Sequence, residues 1–198
     1  MKKSYIIIII IAFFLLIFYG WYYNLQKNGN TIINKNEIIE SLLENNLNYT
    51  AEIEVEVNSN KNTNIYKIKQ EEKENYSRQE VLDGENIKGL IVELNNKTLK
   101  ISNTVLNLQK IYENYNNLSN NYLFLSSFIK DCKDENNILE KTEDEENYIL
   151  KVKIANNPYI KEKQLYINKK ANKPVKMIIS NSDHKQKASI RYINIEIN

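Results

Sequence analysis

The sequence predicts an α+β protein: a curved antiparallel sheet, an open half-barrel, wrapped around two or three helices and preceded by an N-terminal transmembrane helix. Three observations predict it. Residues 5–23 form one apolar run. From residue 49 onward, apolar side chains recur mostly at every second position, in short stretches parted by Asn, Asp and Gly, which is the strand pattern. In two places, residues 34–47 and 105–129, the recurrence lengthens to three and four residues, the period of a helix. These changes divide the chain into a signal-anchor segment (1–24), a linker (25–33) and an extracytoplasmic domain (34–198).

The anchor is read from length and flanks. As a helix, residues 5–23 would span about 28 Å, close to the hydrocarbon thickness of a bilayer. Ile6 to Phe18 holds twelve strongly apolar residues and one Ala, which together favour insertion by about 4 to 7 kcal/mol. Tyr5, Phe13, Phe14 and Trp21 are expected membrane-contact residues, with Trp21 at the interface. Lys2 and Lys3 should stay cytoplasmic, placing the domain outside. A cleaved signal peptide is the competing reading, but Gly20 is the one small residue near the end of the run. No Cys stands near position 20 to accept a lipid.

Each element of the domain has its own signal. Asn34 to Leu47 reads as a helix, with Ile38, Ile39, Leu42, Leu43 and Leu47 on one face and Asn34 or Asn36 as cap. Tyr49, Ala51, Ile53, Val55 and Val57 alternate with Thr50, Glu52, Glu54 and Glu56, a half-buried strand. The three Glu are expected to face solvent and pair with Lys67 and Lys69 of the next strand rather than hold a metal. Tyr76 to Leu82 is a further strand, ended by Asp83-Gly84. Leu90 to Leu94 and Thr98 to Ser102 form a hairpin about Asn95-Asn96. Val105, Leu108, Ile111, Tyr112 and Tyr115 then suit a helix. Leu123, Phe124, Phe128 and Ile129 suit another, capped by Ser119. Strands resume at 138–141, 148–154, 164–168, 175–179 and 189–197, making nine or ten in all.

Composition bounds the chemistry. With 27 basic and 25 acidic side chains, the net charge of +2 gives no case for a nucleic-acid surface. One cysteine, Cys132, forbids an internal disulfide and follows a helical pattern, so it is expected as a half-buried structural thiol. One histidine, His184, sits in a polar turn without neighbouring ligands. There is no Gly-rich phosphate loop, no Gly-x-Ser-x-Gly elbow and no His-Glu-x-x-His. No catalytic, metal or cofactor-binding residue is expected, and no cofactor. The 14 Tyr and the apolar content suit a fold that binds hydrophobic ligands or another protein.

Two stretches carry a family resemblance. The first is Asn107-Leu108-Gln109-Lys110-Ile111-Tyr112-Glu113-Asn114-Tyr115, followed by Asn121-Tyr122-Leu123-Phe124-Leu125-Ser126-Ser127-Phe128-Ile129-Lys130. The second is Leu165-Tyr166-Ile167-Asn168 with Lys173-Pro174-Val175-Lys176-Met177-Ile178-Ile179. Both resemble the clostridial germination protein GerS family, within the wider LolA-like group. The resemblance covers residues 34–198 and implies a LolA-like half-barrel. It also implies a non-enzymatic protein that binds a spore-cortex N-acetylmuramoyl-L-alanine amidase and supports its activity, so that cortex is modified and the spore germinates. It implies display between the forespore and mother-cell membranes, and a homodimer in some members. The chain departs from the family in lacking its lipoprotein cysteine, so Tyr5 to Tyr23 would take over tethering. Tyr122, Phe124 and Phe128 are the candidate partner-facing or cavity residues. The alternative is a lipid or lipoprotein carrier of the LolA type, which needs an apolar cavity not filled by Leu123, Phe124 and Phe128.

Overall fold

The computed structural model describes residues 39–40, 42, 48–59, 61–115, 121–181, 183 and 185–198. The expected anchor with Tyr5, Phe13, Phe14 and Trp21, the linker, the helix caps at Asn34, Asn36 and Ser119, and His184 lie outside the described residues. The chain divides into two compact units, Met1–Ser41 and Leu42–Asn198. In the first, Ile39 and Glu40 are helical, with Ile39 buried and Glu40 exposed. Leu42, at the start of the second, is helical and buried.

Among the described residues, eleven strands and one short helix follow. The strands are β1 (Tyr49–Asn58), β2 (Thr63–Lys73), β3 (Tyr76–Asp83), β4 (Leu90–Asn95), β5 (Thr98–Asn103) and β6 (Leu108–Tyr112), then β7 (Ile138–Glu143), β8 (Asn147–Lys153), β9 (Glu162–Asn168), β10 (Lys173–Ser180) and β11 (Gln186–Ile197). The helix α1 (Leu125–Lys133) lies between β6 and β7 in the chain. All strands join one open sheet in the order β6-β5-β4-β3-β2-β1-β11-β10-β9-β8-β7. Neighbours are antiparallel throughout. The two meanders meet where β1 pairs with β11, so first and last strands sit mid-sheet and β6 and β7 form the two edges.

Register explains the core. Directly opposed residues of antiparallel strands share a face. Ile53 stands opposite Ile68, and Val55 opposite Ile190. Ile190 opposes Met177, which opposes Leu165, which opposes Leu150. All of these are buried. The other face carries Glu52 opposite Lys69 and Glu54 opposite Lys67, as expected, although the ion pair of Glu54 runs to Arg191 on the opposite neighbour at 2.7 Å. Register shifts at Glu52/Ile53, Lys67/Ile68, Pro174/Lys176 and Ile179/Ser180 interrupt the ladders. Such bulges bend strands and increase local twist. Pro174 sits at one of them, where its missing N–H costs no regular ladder bond.

The chain has only four Gly, and asparagine takes over much of their work. Asn86, Asn96, Asn107, Asn114 and Asn172 all adopt positive φ in turns. Asn tolerates the left-handed region because its short amide can bond locally. Gly89, by contrast, has φ +78 and packs so closely that a Cβ would meet Thr104 Oγ1 at 2.7 Å.

The expected helix over Val105, Leu108, Ile111, Tyr112 and Tyr115 is corrected: this stretch is a turn followed by β6. Asn103 Oδ1 accepts hydrogen bonds from the N–H groups of Val105 and Leu106, and Asn107 reverses the chain at φ 51. Once turned, Tyr112 opposes Leu99 and Lys110 opposes Ile101. The second expected helix forms, beginning at Leu125 with Phe124 at its N-cap position. The sheet therefore has eleven strands rather than nine or ten, and among the described residues α1 is accompanied by the helical Ile39, Glu40 and Leu42 of the expected helix over 34–47, the rest of which lies outside the described residues.

Candidate functional site

The inner face is the one α1 packs on, and its polar groups decide how the helix sits. Period two on β2 brings Gln70 and Glu72 to the same face as Ile68, and on β3 it brings Gln79 there. Phe124 offers no side-chain cap to the helix. The first amides of a helix must find partners elsewhere, and the sheet supplies them. Leu125 N–H donates to the Tyr49 hydroxyl at 3.1 Å, and that hydroxyl donates to Gln70 Oε1 at 3.1 Å. Gln70 Nε2 in turn donates to the Leu123 carbonyl at 3.2 Å. Ser126 Oγ donates to the Glu72 carboxylate, and Asn121 Nδ2 donates to Gln79 Oε1 at 2.8 Å. Burial raises the Glu72 carboxyl above its ordinary value, with hydrogen bonds from Ser126 opposing the rise. Burial likewise pushes up the phenols of Tyr49 and Tyr192, the latter with no hydrogen-bond partner among the described residues. Beside this network lies a cleft of about 440 Å³ whose lining includes Glu72, Tyr76, Leu94, Asn121, Phe124 and Ser126.

The far end of the helix is held by charge. Lys163 lies on the inner face opposite Val152 and Ile179, and its side chain is fully buried. Its ammonium pairs with Asp131 Oδ2 at 2.6 Å, donates to Ser127 Oγ at 3.0 Å and stands 4.9 Å over the ring of Tyr122. Burial lowers the Lys163 pKa, and Asp131 opposes that shift. Cys132 is half-buried, and burial together with Asp131 pushes its thiol up to about 12. It is therefore a neutral thiol at physiological pH, not a thiolate nucleophile.

Of the three candidate residues, Tyr122 is half-buried, with its hydroxyl accepting from Asn157 Nδ2 at 2.7 Å. Phe124 and Phe128 are 6% and 0% exposed, so both belong to the core. The three are near in sequence but serve different surroundings: a polar clamp and the apolar interior. No group of three metal-ligating side chains occurs among the described residues.

Apolar side chains gather outside the core as well. Val105, Leu106, Leu108, Ile111 and Tyr112 are all more than a third exposed, and every residue of β6 is exposed. The three- and four-residue spacing of these side chains conceals a strand, and the sequence signal against a helix is the pair Asn103 and Asn107, which flanks the turn at Val105 and Leu106.

No family model matches the chain, and no curated protein matches it in sequence. Solved structures do. A chain of the CwlD amidase–GerS lipoprotein complex from Clostridioides difficile matches with a TM-score of 0.51 at 21% identity, covering 82% of this chain and 92% of that one. An uncharacterized conserved protein from Thermus thermophilus matches with a TM-score of 0.50 at 14% identity, covering 83% and 88%. A LolA superfamily protein from Nitrosomonas europaea matches at 0.40 and 9%, covering 82% and 91%. What the first two likenesses establish is a shared fold.

Proposed function

We propose that this chain is a membrane-tethered, non-enzymatic protein that binds an N-acetylmuramoyl-L-alanine amidase and raises its activity during spore-cortex modification. The observation that carries it is the near full-length likeness to a chain in the CwlD amidase–GerS complex, joined to the motif resemblance of residues 107–130. Two features support the reading over a lipid carrier. The inner face is occupied by the helix's own Leu125, Phe128 and Ile129, all buried. The cleft beside the helix places the Glu72 carboxylate, the Asn121 amide and the Ser126 hydroxyl beside Leu94 and Phe124, and a carboxylate in the wall is poor lining for an acyl chain. A bound protein raises an enzyme's activity by favouring its competent conformation, and a tether at Tyr5 to Tyr23 would hold the pair at one membrane face.

The test is co-purification of the full chain with the amidase of its own genome, size-exclusion chromatography and a peptidoglycan amidase assay. A stable complex with raised activity is expected. An amidase that elutes alone and works unchanged would overturn the reading, and co-purified lipid seen by mass spectrometry would favour the carrier.

A further inference from the structure

An open sheet has two edges, each presenting a row of backbone donors and acceptors that can recruit another strand. Here one is guarded. On β7, Glu140 pairs with Lys153 and Glu143 with Lys169, and fixed charges along an edge are a usual defence against pairing. Among the described residues the other edge is bare. On β6, Leu108 is 62% exposed, Ile111 51% and Tyr112 37%. The turn before it adds Val105 and Leu106. The one charged side chain of β6, Lys110, lies over the Tyr112 ring at 4.9 Å rather than on a carboxylate. Beyond β6 no further strand pairs among the described residues.

The chemistry of this edge selects its occupant. A second copy pairing antiparallel over all five residues of β6 would set Lys110 directly against Lys110 of the other copy, and like charges directly opposed destabilise a strand pair. Leu108, Lys110 and Tyr112 share one face, because they oppose Asn103, Ile101 and Leu99 of β5. The fitting strand therefore carries a carboxylate flanked at two-residue steps by apolar side chains. Lysines also stand in the turns beside both ends of β6: the Lys88 carbonyl accepts from Asn103, and the Lys97 carbonyl from Tyr115. Glu113 is the acidic residue closest in sequence.

We propose that β6 is a docking edge that takes an extended, acidic and apolar segment of the partner as a twelfth strand, with its carboxylate against Lys110. This rests on the amidase reading and deepens it: the amidase supplies the strand. Main-chain hydrogen bonds provide affinity in such strand addition, and side-chain alternation provides specificity.

The experiment compares three full-length proteins for amidase binding: wild type, Lys110→Glu on β6, and Thr142→Glu on β7. Both substituted side chains are exposed, so all three should share one melting temperature. Lys110→Glu is expected to weaken binding about tenfold, while Thr142→Glu leaves it unchanged. A photo-crosslinker at Gln109 should capture the amidase. Wild-type binding with an unaffected Lys110→Glu, or a Gln109 crosslink to a second copy instead, overturns the docking edge and leaves the amidase reading standing. Failure of wild type to bind overturns the amidase reading and the inference with it.

Discussion

On the wing from β7 to β11, buried strand positions of the inner face are apolar, the exception is a lysine with its own carboxylate, and the edge is charged. The wing from β1 to β6 differs on each count. Its inner face carries Gln70, Glu72 and Gln79 among the apolar side chains, a cleft opens beside the helix, and the edge carries no charge except Lys110. One helix bridges both wings, pinned to the first by an ion pair and to the second by neutral and carboxylate hydrogen bonds. The difference teaches where each wing can change. Close apolar packing with a satisfied charge resists rearrangement. A hydrogen bond that lines the cleft, as Ser126 to Glu72 does, exchanges with water at modest cost, so the wing with the exposed edge is also the one built to adapt.

Removing the anchor of the tight wing should have the largest effect. Asp131→Ala leaves the fully buried Lys163 ammonium without its carboxylate, and stranding a buried charge costs about 3 kcal/mol or more. Urea unfolding of the variant checks this. Lys163→Met, which replaces the charge by an apolar chain of similar length, should cost clearly less. If the two variants are equally destabilised, the cost lies in packing alone and the contrast between the wings weakens.

The adaptable wing should respond less. Tyr49→Phe removes the hydroxyl that accepts from Leu125 N–H and donates to Gln70. The helix's first amide then loses its partner at a buried position, at a cost of about 1.5 kcal/mol. Amide hydrogen exchange should locate the loss, with Leu125 less protected and the β8–β9 ladder unchanged. Equal loosening of β8 and β9 would show that the two wings act as one cooperative block.

Strands were legible from period two alone where one side of a strand is buried. Tyr49 to Val57, the hairpin about Asn95-Asn96 and the last three strands fall within a few residues of their expected ends. The misread stretch is instructive. Val105, Leu108, Ile111 and Tyr115 are spaced as on a helix, but an edge strand exposed on both faces has no burial to impose alternation. The candidate site was hidden for a related reason. Gln70, Glu72 and Lys163 look like solvent residues in sequence, and only register sets Glu72 beside Tyr49 and Lys163 between Val152 and Ile179. The available signal was continuation: Lys163, Leu165 and Ile167 alternate as one face, as do Ile68, Gln70 and Glu72.

The smallest expected effect isolates the polar network by its proton. Burial raises the Glu72 carboxyl above 4.5 in the folded chain. In the interval between the two values the folded state binds a proton that the unfolded state has released. The contribution of Glu72 to stability is therefore full below pH 4.5 and is lost as the pH rises through the raised value. Asp134, Glu140 and Asp144 have lowered values and act in the opposite sense, losing their contribution as the pH falls. They are common to wild type and Glu72→Gln, so the difference between the two proteins belongs to Glu72. Tyr49 and Tyr192, which face it, titrate far above this range. Unfolding free energies measured between about pH 4 and pH 7 should show wild type losing ground to Glu72→Gln as the pH rises. Parallel curves would mean that Ser126 and water stabilise the Glu72 carboxylate as well as bulk solvent does, and that the inner face of this wing is wetter than its burial implies.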